Sequence, residues 1–245
     1  MLEIRMIRAT LVLTSVVLSV APFATATTTV EYGTPGQLSS TVQGPDSFSF
    51  NSLPVGVNTT VVWQGVGTFN GLTVMNSDQW GGANGGKYAF AGTVSGSPTP
   101  VSTTLTFNQG ASYFAFLWNA ADPYNSFTLK SGNTVVATLN NANLISALGG
   151  CSGGTVSAYC GNPTNGLDRG ELFVYVQFIA DANTKFTEAD WNNQAFSNFE
   201  FENLAYADDP VSVNPEPRSW ALLGLGLLIG VGTWRVKRNR RSVQL

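Results

Sequence analysis

The 245-residue chain contains no histidine and only two cysteines. Without histidine, neither a Ser-His-Asp triad nor a Cys-His pair can form, and the commonest side-chain ligand of zinc and copper is missing. The complete P-loop G-x-x-x-x-G-K-[ST], the dinucleotide-binding G-x-G-x-x-G and the zinc motif H-E-x-x-H are absent too. We therefore expect no catalytic residues, no cofactor and a protein that is not an enzyme.

Basic residues are scarce between residues 27 and 217, where only Lys87, Lys130, Arg169 and Lys185 carry positive charge. The same segment has 14 acidic residues, which brings its net charge to about −10. A surface of this sign repels nucleic acid and anionic lipid. We therefore expect no nucleic-acid partner.

The N-terminus has the three parts of a secretory signal. Arg5 and Arg8 precede an uncharged run over residues 9–20, and the tripeptide A-T-A at 24–26 has small residues at both positions of a cleavage site. A transmembrane helix would need about 20 apolar residues, whereas this run has 12. Residues 1–26 are therefore predicted to be a cleaved signal peptide.

The segments that follow have the pattern of β-strands. Alternating or β-branched stretches are separated by Ser, Thr, Gly and Asn, at intervals of about 8–12 residues where they are most regular, which is typical of a sandwich or barrel. Phe114, Phe116 and Trp118 share one strand face by the period of two. Residues 171–179 are apolar on both faces, which predicts a central strand. We predict an all-β fold, a single jelly-roll-like β-sandwich over residues 27–209.

The connections between these strands include one long segment, 141–170, that is rich in loop-forming residues. It contains Cys151 and Cys160, which we expect to form a disulfide in an exported chain because two thiols without histidine fall short of a zinc site. "NAADPYNS" (119–126) is predicted to join two strands as a hairpin. "FTEADWNNQ" (186–194) is a weak candidate for a helical turn.

Paired carboxylates are the remaining candidates for chemistry. Glu200 and Glu202 lie two apart on a strand, so their side chains are about 7 Å apart on one face, a separation that suits glycoside hydrolysis. We favour the competing interpretation, a solvated face of an edge strand. Two further pairs could each contribute to a calcium site: Asp168 with Glu171, and Asp208 with Asp209. Both lack the D-x-[DN]-x-[DN]-G spacing, so calcium is a weak alternative to no cofactor.

Two tryptophans are candidates for sugar binding, since an exposed ring can stack on a sugar face. Trp80 and Trp191 lie in the polar contexts "SDQWGG" and "EADWNNQ". The alternative is that each ring closes one end of the sandwich core. The Gly-rich "WGGANGGKY" (80–88) is predicted to be a flexible connection between strands and not a phosphate cradle, because no helix pattern follows it.

The C-terminus combines an apolar run with a basic cluster. Residues 219–233 carry no charge, and these 15 residues would form a helix of about 22 Å against a hydrocarbon core of about 30 Å. With Trp220 and Trp234 at the interfaces, such a helix could span a thinned bilayer. The basic cluster comprises Arg235, Lys237, Arg238, Arg240 and Arg241. The positive-inside rule predicts a transmembrane helix over 219–234 and a cytoplasmic tail over 235–245.

The tripeptide Pro215-Glu216-Pro217 stands just before this run. Tripeptide, apolar run and basic cluster, in this order at the C-terminus, make residues 210–245 resemble the PEP-CTERM sorting signal of exosortase-dependent surface proteins of Gram-negative bacteria. The resemblance implies that an exosortase, a membrane-embedded cysteine peptidase, recognises the tripeptide and removes the tail. Arg218 departs from the family, which more often has a small residue there.

A second resemblance covers part of the predicted sandwich. Residues 113–129, 170–180 and 199–207 look like one subgroup of these surface proteins, with an aromatic strand, a D-x-Y-N turn and a closing "FEFDN"-like strand. This implies a cell-surface or biofilm-matrix role tied to exopolysaccharide. We therefore expect an exported, non-catalytic surface or matrix protein. A carbohydrate-binding module on the same sandwich is the alternative, and a glycan hydrolase is a distant third.

Overall fold

The computed structural model describes residues 28–91, 101–193 and 198–211. Its strands form two antiparallel sheets that pack together as a β-sandwich, as predicted. The predicted signal peptide, transmembrane helix and sorting tripeptide lie outside the described residues. Within the described residues, no helix is long and apolar enough to span a membrane.

Short strands dominate the described residues. Their bounds are β1 (Thr28–Tyr32), β2 (Asp46–Phe48), β3 (Gly56–Asn58), β4 (Val61–Trp63), β5 (Gly67–Phe69), β6 (Leu72–Met75), β7 (Tyr88–Ala91), β8 (Val101–Ala111), β9 (Tyr113–Asn119), β10 (Asn125–Ser131), β11 (Thr134–Asn140), β12 (Val174–Ala180), β13 (Phe186–Asn193) and β14 (Phe199–Ala207). A 3-10 helix covers Phe50–Ser52, and the α-helix α1 covers Asn141–Leu148.

Among the described residues, the larger sheet has eight strands. Seven follow the order β1-β12-β9-β14-β7-β6-β3, and β2 pairs with β14. In the described part of the chain, the smaller sheet has six strands, in the order β11-β10-β13-β8-β5-β4. The last strand, β14, therefore lies inside the larger sheet, between β9 and β7.

Aromatic side chains fill the space between the sheets. Phe114, Phe116 and Trp118 of β9 are fully buried there, which confirms the alternation predicted for this strand. From the smaller sheet, Trp191 of β13 stacks on Phe201 of β14 with ring centroids 4.4 Å apart. Aromatic rings from both sheets therefore make the central layer of the core.

Strand β12 is buried on both faces, as its apolar pattern predicted. Val174 and Phe178 point into the core between the sheets. Tyr175 belongs to a second apolar cluster, together with Leu117 and Ala83, on the opposite face of the larger sheet. That outer face is covered by loops, so part of it is a closed interior.

The long segment 141–170 begins with a helix, which the sequence interpretation missed. Asn140 and Asn143 cap α1 reciprocally: each side chain accepts a hydrogen bond from the other residue's backbone N–H. The predicted disulfide between Cys151 and Cys160 is present. Closing a loop of this length stabilises the fold by roughly 3 kcal/mol through loss of chain entropy in the unfolded state.

The hairpin predicted for 119–126 is wrong, and the weak candidate for a helical turn is a strand. The turn at 119–126 forms, with the Asn125 N–H donating to the Asp122 carbonyl at 3.1 Å. It does not close a hairpin, because β9 lies in the larger sheet and β10 in the smaller one. Residues 186–193 form β13 and not a helical turn.

Candidate functional site

The carboxylates of β14 lie on the covered outer face of the larger sheet. Glu200 is opposite Asn119 of β9, and Glu202 is opposite Leu117. Their side chains are 6% and 0% exposed. The favoured interpretation, a solvated face of an edge strand, is therefore wrong, because β14 is a central strand and loops cover this face.

A β-bulge in β14 organises the loops above these carboxylates. The register with β9 shifts between Glu202 and Ala205, and Asn203 adopts a positive φ of 51°. The Asn203 side chain donates to the Leu38 carbonyl at 2.8 Å and accepts from the Asn84 side chain at 2.6 Å. The bulge thus orients the Asn203 side chain so that it bonds to both loops that cover this face.

The Gly-rich loop 80–88 is tied to the sheet, in contrast to the flexible connection predicted for it. Its Ala83 N–H donates to Glu202 Oε1 at 2.6 Å. Gly82 has a φ of 70°, and a Cβ there would lie 2.5 Å from the Gly86 carbonyl oxygen, so only glycine fits. The loop therefore binds a carboxyl group of the same chain through a backbone N–H.

Glu202 is both buried and hydrogen-bonded. Besides Ala83, the Asn119 side chain donates to Glu202 Oε1 at 3.0 Å. Burial raises the pKa of Glu202 to about 7, and the hydrogen bonds from Ala83 and Asn119 limit the rise. Since this carboxylate has no exposed surface, the described structure does not present Glu200 and Glu202 to a glycan as a hydrolytic pair.

A second set of carboxyl groups lies beside Glu200. Asp168 and Asp122, the latter from the turn after β9, both lie near Glu171. Among the described residues, no group of three such side chains that could hold a metal ion is found. Burial and hydrogen-bonding contacts with Asp168 and Asp122 raise the pKa of Glu171 to about 9. The other proposed calcium pair, Asp208 with Asp209, is exposed and separate from this group.

The two candidate stacking residues differ completely in exposure. Trp191 is 0% exposed within the aromatic core, so the prediction that it offers a platform for sugar is wrong. The residues next to Trp191 are polar because successive side chains of β13 point alternately to the core and to the outer face, so a polar context did not indicate an exposed ring. Trp80 is 46% exposed, and its backbone N–H donates to Asp78 at 2.8 Å. Trp80 therefore presents a ring to solvent on a fixed loop.

A polar cleft of about 730 Å³ opens on another part of the surface. It lies between β1, the loop that follows β1, and the end of β14. Tyr32, Gln43 and Gln177 contribute an aromatic ring and amide groups, and Asp46 adds a carboxylate. Hydroxyl-rich ligands bind in such places through side-chain amides, carboxylates and an aromatic face.

Comparison with known proteins adds no identification. No model of a known protein family matches the chain, and a search of curated proteins finds no match.

Proposed function

We propose that the chain is an exported, non-catalytic surface or extracellular-matrix protein that an exosortase-type peptidase processes at its C-terminus. The observation that carries the proposal is the order of Pro215-Glu216-Pro217, the apolar run and the basic cluster. The predicted signal peptide and transmembrane helix would deliver the sandwich across the inner membrane and hold it there until cleavage.

Features of the described residues agree with such a role. The disulfide suits an oxidising compartment outside the cytoplasm. Strand β14 ends at Ala207, and Asp208 to Pro210 are exposed. These exposed residues precede the tripeptide by only a few positions in the sequence.

Substituting the tripeptide should change where the protein accumulates. We expect Glu216→Ala, expressed in the host from the native locus, to retain the protein in the membrane fraction, because the peptidase no longer recognises the tripeptide. The matched control is Asp209→Ala, which removes an exposed carboxylate just upstream and should leave the distribution unchanged. A Glu216→Ala protein distributed like the wild type in an exosortase-positive host would contradict the proposal.

Binding to exopolysaccharide is the second candidate function, and the polar cleft favours it. The cleft would hold sugar hydroxyls through Gln43 and Asp46, both exposed. Trp80 offers a separate, half-exposed ring for stacking. A matrix protein can bind matrix sugar, so this function is compatible with the first.

Affinity electrophoresis of the full chain in gels containing host exopolysaccharide tests the binding function. We expect retention of the wild type, and a loss of affinity of about threefold to tenfold in either Trp80→Ala or Gln43→Ala/Asp46→Ala. Val57→Ala, at another exposed position, is the control and should be retained like the wild type. No retention of the wild type, or unchanged retention of both variants, would contradict sugar binding at these places.

A further inference from the structure

The smaller sheet ends in two strands that carry no charge. Among the described residues its order runs from β11 to β4, so these two strands are its edges. Residues 131–167, which include β11, and residues 47–77, which include β4, contain no acidic or basic side chain. Edge strands of soluble proteins often carry charged side chains that prevent pairing with another molecule. Both edges of the smaller sheet lack that charge.

One row of side chains crosses the outer face of the smaller sheet from edge to edge. Residues directly opposite each other in an antiparallel sheet lie on the same face and contact one another. The register of the five strand pairs gives the row Val62, Thr68, Thr106, Glu188, Lys130 and Val135. Val62 and Val135, at its two ends, are 61% and 54% exposed. Each edge therefore presents one valine of the row to solvent.

The directions of the two edge strands suit pairing between copies of the chain. Five antiparallel steps separate β11 from β4, so the two strands run in opposite directions. A second copy that is displaced along the row, without rotation, would bring its β11 antiparallel to β4 of the first copy. The same displacement would place Val135 of the second copy opposite Val62 of the first, so the row would continue from copy to copy.

The larger sheet is less suited to such a continuation. In the described part of the chain its edges are β1 and β3, which are six antiparallel steps apart and therefore run in the same direction. A displaced copy would pair these two strands in parallel, which is slightly less stable per residue. Strand β1 also carries Glu31, so one edge of this sheet is charged. The smaller sheet is therefore the better surface for assembly.

The distribution of charge favours a second copy of this chain as the partner. Residues 27–217 carry a net charge of about −10, so two copies repel each other wherever their acidic surfaces approach. The two uncharged stretches contain both edges of the smaller sheet. An approach through β4 and β11 therefore brings neutral surfaces together, and a cross-strand pair of valines adds favourable packing.

We propose that copies of this chain assemble head to tail through the edges of the smaller sheet, with β4 of one copy pairing with β11 of the next. The contact joins two different surfaces, so each end of the assembly keeps one free edge and the assembly can grow into a filament. The contact uses neither the sorting tripeptide nor the polar cleft. The assembly therefore goes beyond the proposed function and does not depend on it.

Site-specific cross-linking of the full chain in mild detergent tests the pairing. Val62→Cys and Val135→Cys proteins, mixed and mildly oxidised, should form a disulfide-linked dimer, because directly opposite residues lie close enough for a disulfide. Each variant alone should give little dimer, since a head-to-tail contact does not bring the same residue of two copies together. The matched control is Thr106→Cys, at an exposed position in the middle of the row. Mixed with Val135→Cys, it should give little dimer.

Analytical ultracentrifugation of the same preparations measures assembly without a covalent link. We expect the average mass of the wild type to rise with protein concentration, and to rise further between about 0.01 M and 0.15 M NaCl, because salt screens the repulsion between acidic copies. Val62→Lys places a charge on the edge and should shift assembly to roughly tenfold higher protein concentration. Thr106→Lys adds the same charge in the middle of the row and should assemble like the wild type.

The proposal is overturned if the wild type remains monomeric at both salt concentrations, or if Val62→Lys assembles as the wild type does. An equal loss of assembly in Thr106→Lys would also overturn it, because the contact would then lie on the outer face and not at the edge. In the cross-linking experiment, the contradicting results are two. One is a mixture that gives no more dimer than the Thr106→Cys control, and the other is a Val62→Cys protein that links to itself equally well.

Discussion

Trp191→Ala is expected to lower the free energy of unfolding by about 3–5 kcal/mol, the range for removing a buried aromatic side chain. The ring is fully buried and stacks on Phe201, and it also contacts Phe116 at 5.5 Å and Phe127 at 5.2 Å between centroids. Its loss leaves a cavity where the two sheets meet. Equilibrium denaturation in urea measures the effect.

The matched control is Trp80→Ala, which removes the same side chain from a half-exposed position on a loop. We expect a change of about 0.5 kcal/mol or less. Equal destabilisation by the two substitutions would contradict the burial of Trp191. Trp191→Phe should recover much of the loss, because an aromatic ring still fills most of the space.

The free energy of unfolding is expected to fall as the pH rises from about 4.5 to about 7. Burial raises the pKa of Glu202 to about 7 in the folded protein, whereas an unfolded glutamate releases its proton near pH 4.3 to 4.5, about its ordinary value. Between these values the folded state binds more protons, so stability decreases with pH. For Glu202 the loss amounts to about 3 kcal/mol. Burial shifts the pKa of Glu200 in the same direction.

Urea denaturation at a series of pH values, in EDTA, measures this dependence. Glu202→Gln cannot release a proton and should flatten the decline, although its stability at pH 4.5 can differ from that of the wild type. Asp209→Asn changes the charge at an exposed position and should leave the decline as steep as before. A wild-type stability that rises from pH 4.5 to 7 would show that Glu202 is not buried as described.

Features that depend on local sequence were predictable. The period of two placed Phe114 and Phe116 in the core and predicted that β12 is buried on both faces. The predicted export, and the presence of two cysteines without histidine, predicted the disulfide between Cys151 and Cys160, which the structure confirms. The start of α1 also has a local signal, because Asn140 is a favourable N-cap residue directly before the helix.

Features that depend on distant pairing were not predictable. Glu200 and Glu202 have the spacing of a solvated strand face, but β14 pairs with strands from far along the chain and lies under two loops. Trp191 has polar neighbours because β13 alternates, and only the opposite sheet shows which way the ring points. The same holds for Asp122, which the sequence places in a turn and which the fold brings near Glu171.

The mass of the mature chain tests most directly whether the protein is exported and then cleaved at its C-terminal segment. Intact-mass and peptide mass spectrometry on protein recovered from the host surface or culture medium would determine both ends. We expect an N-terminus at Thr27 and a C-terminus at or next to Pro215-Glu216-Pro217. A mature chain that still contains residues 218–245 would contradict removal of the tail and leave the C-terminal segment as a permanent anchor.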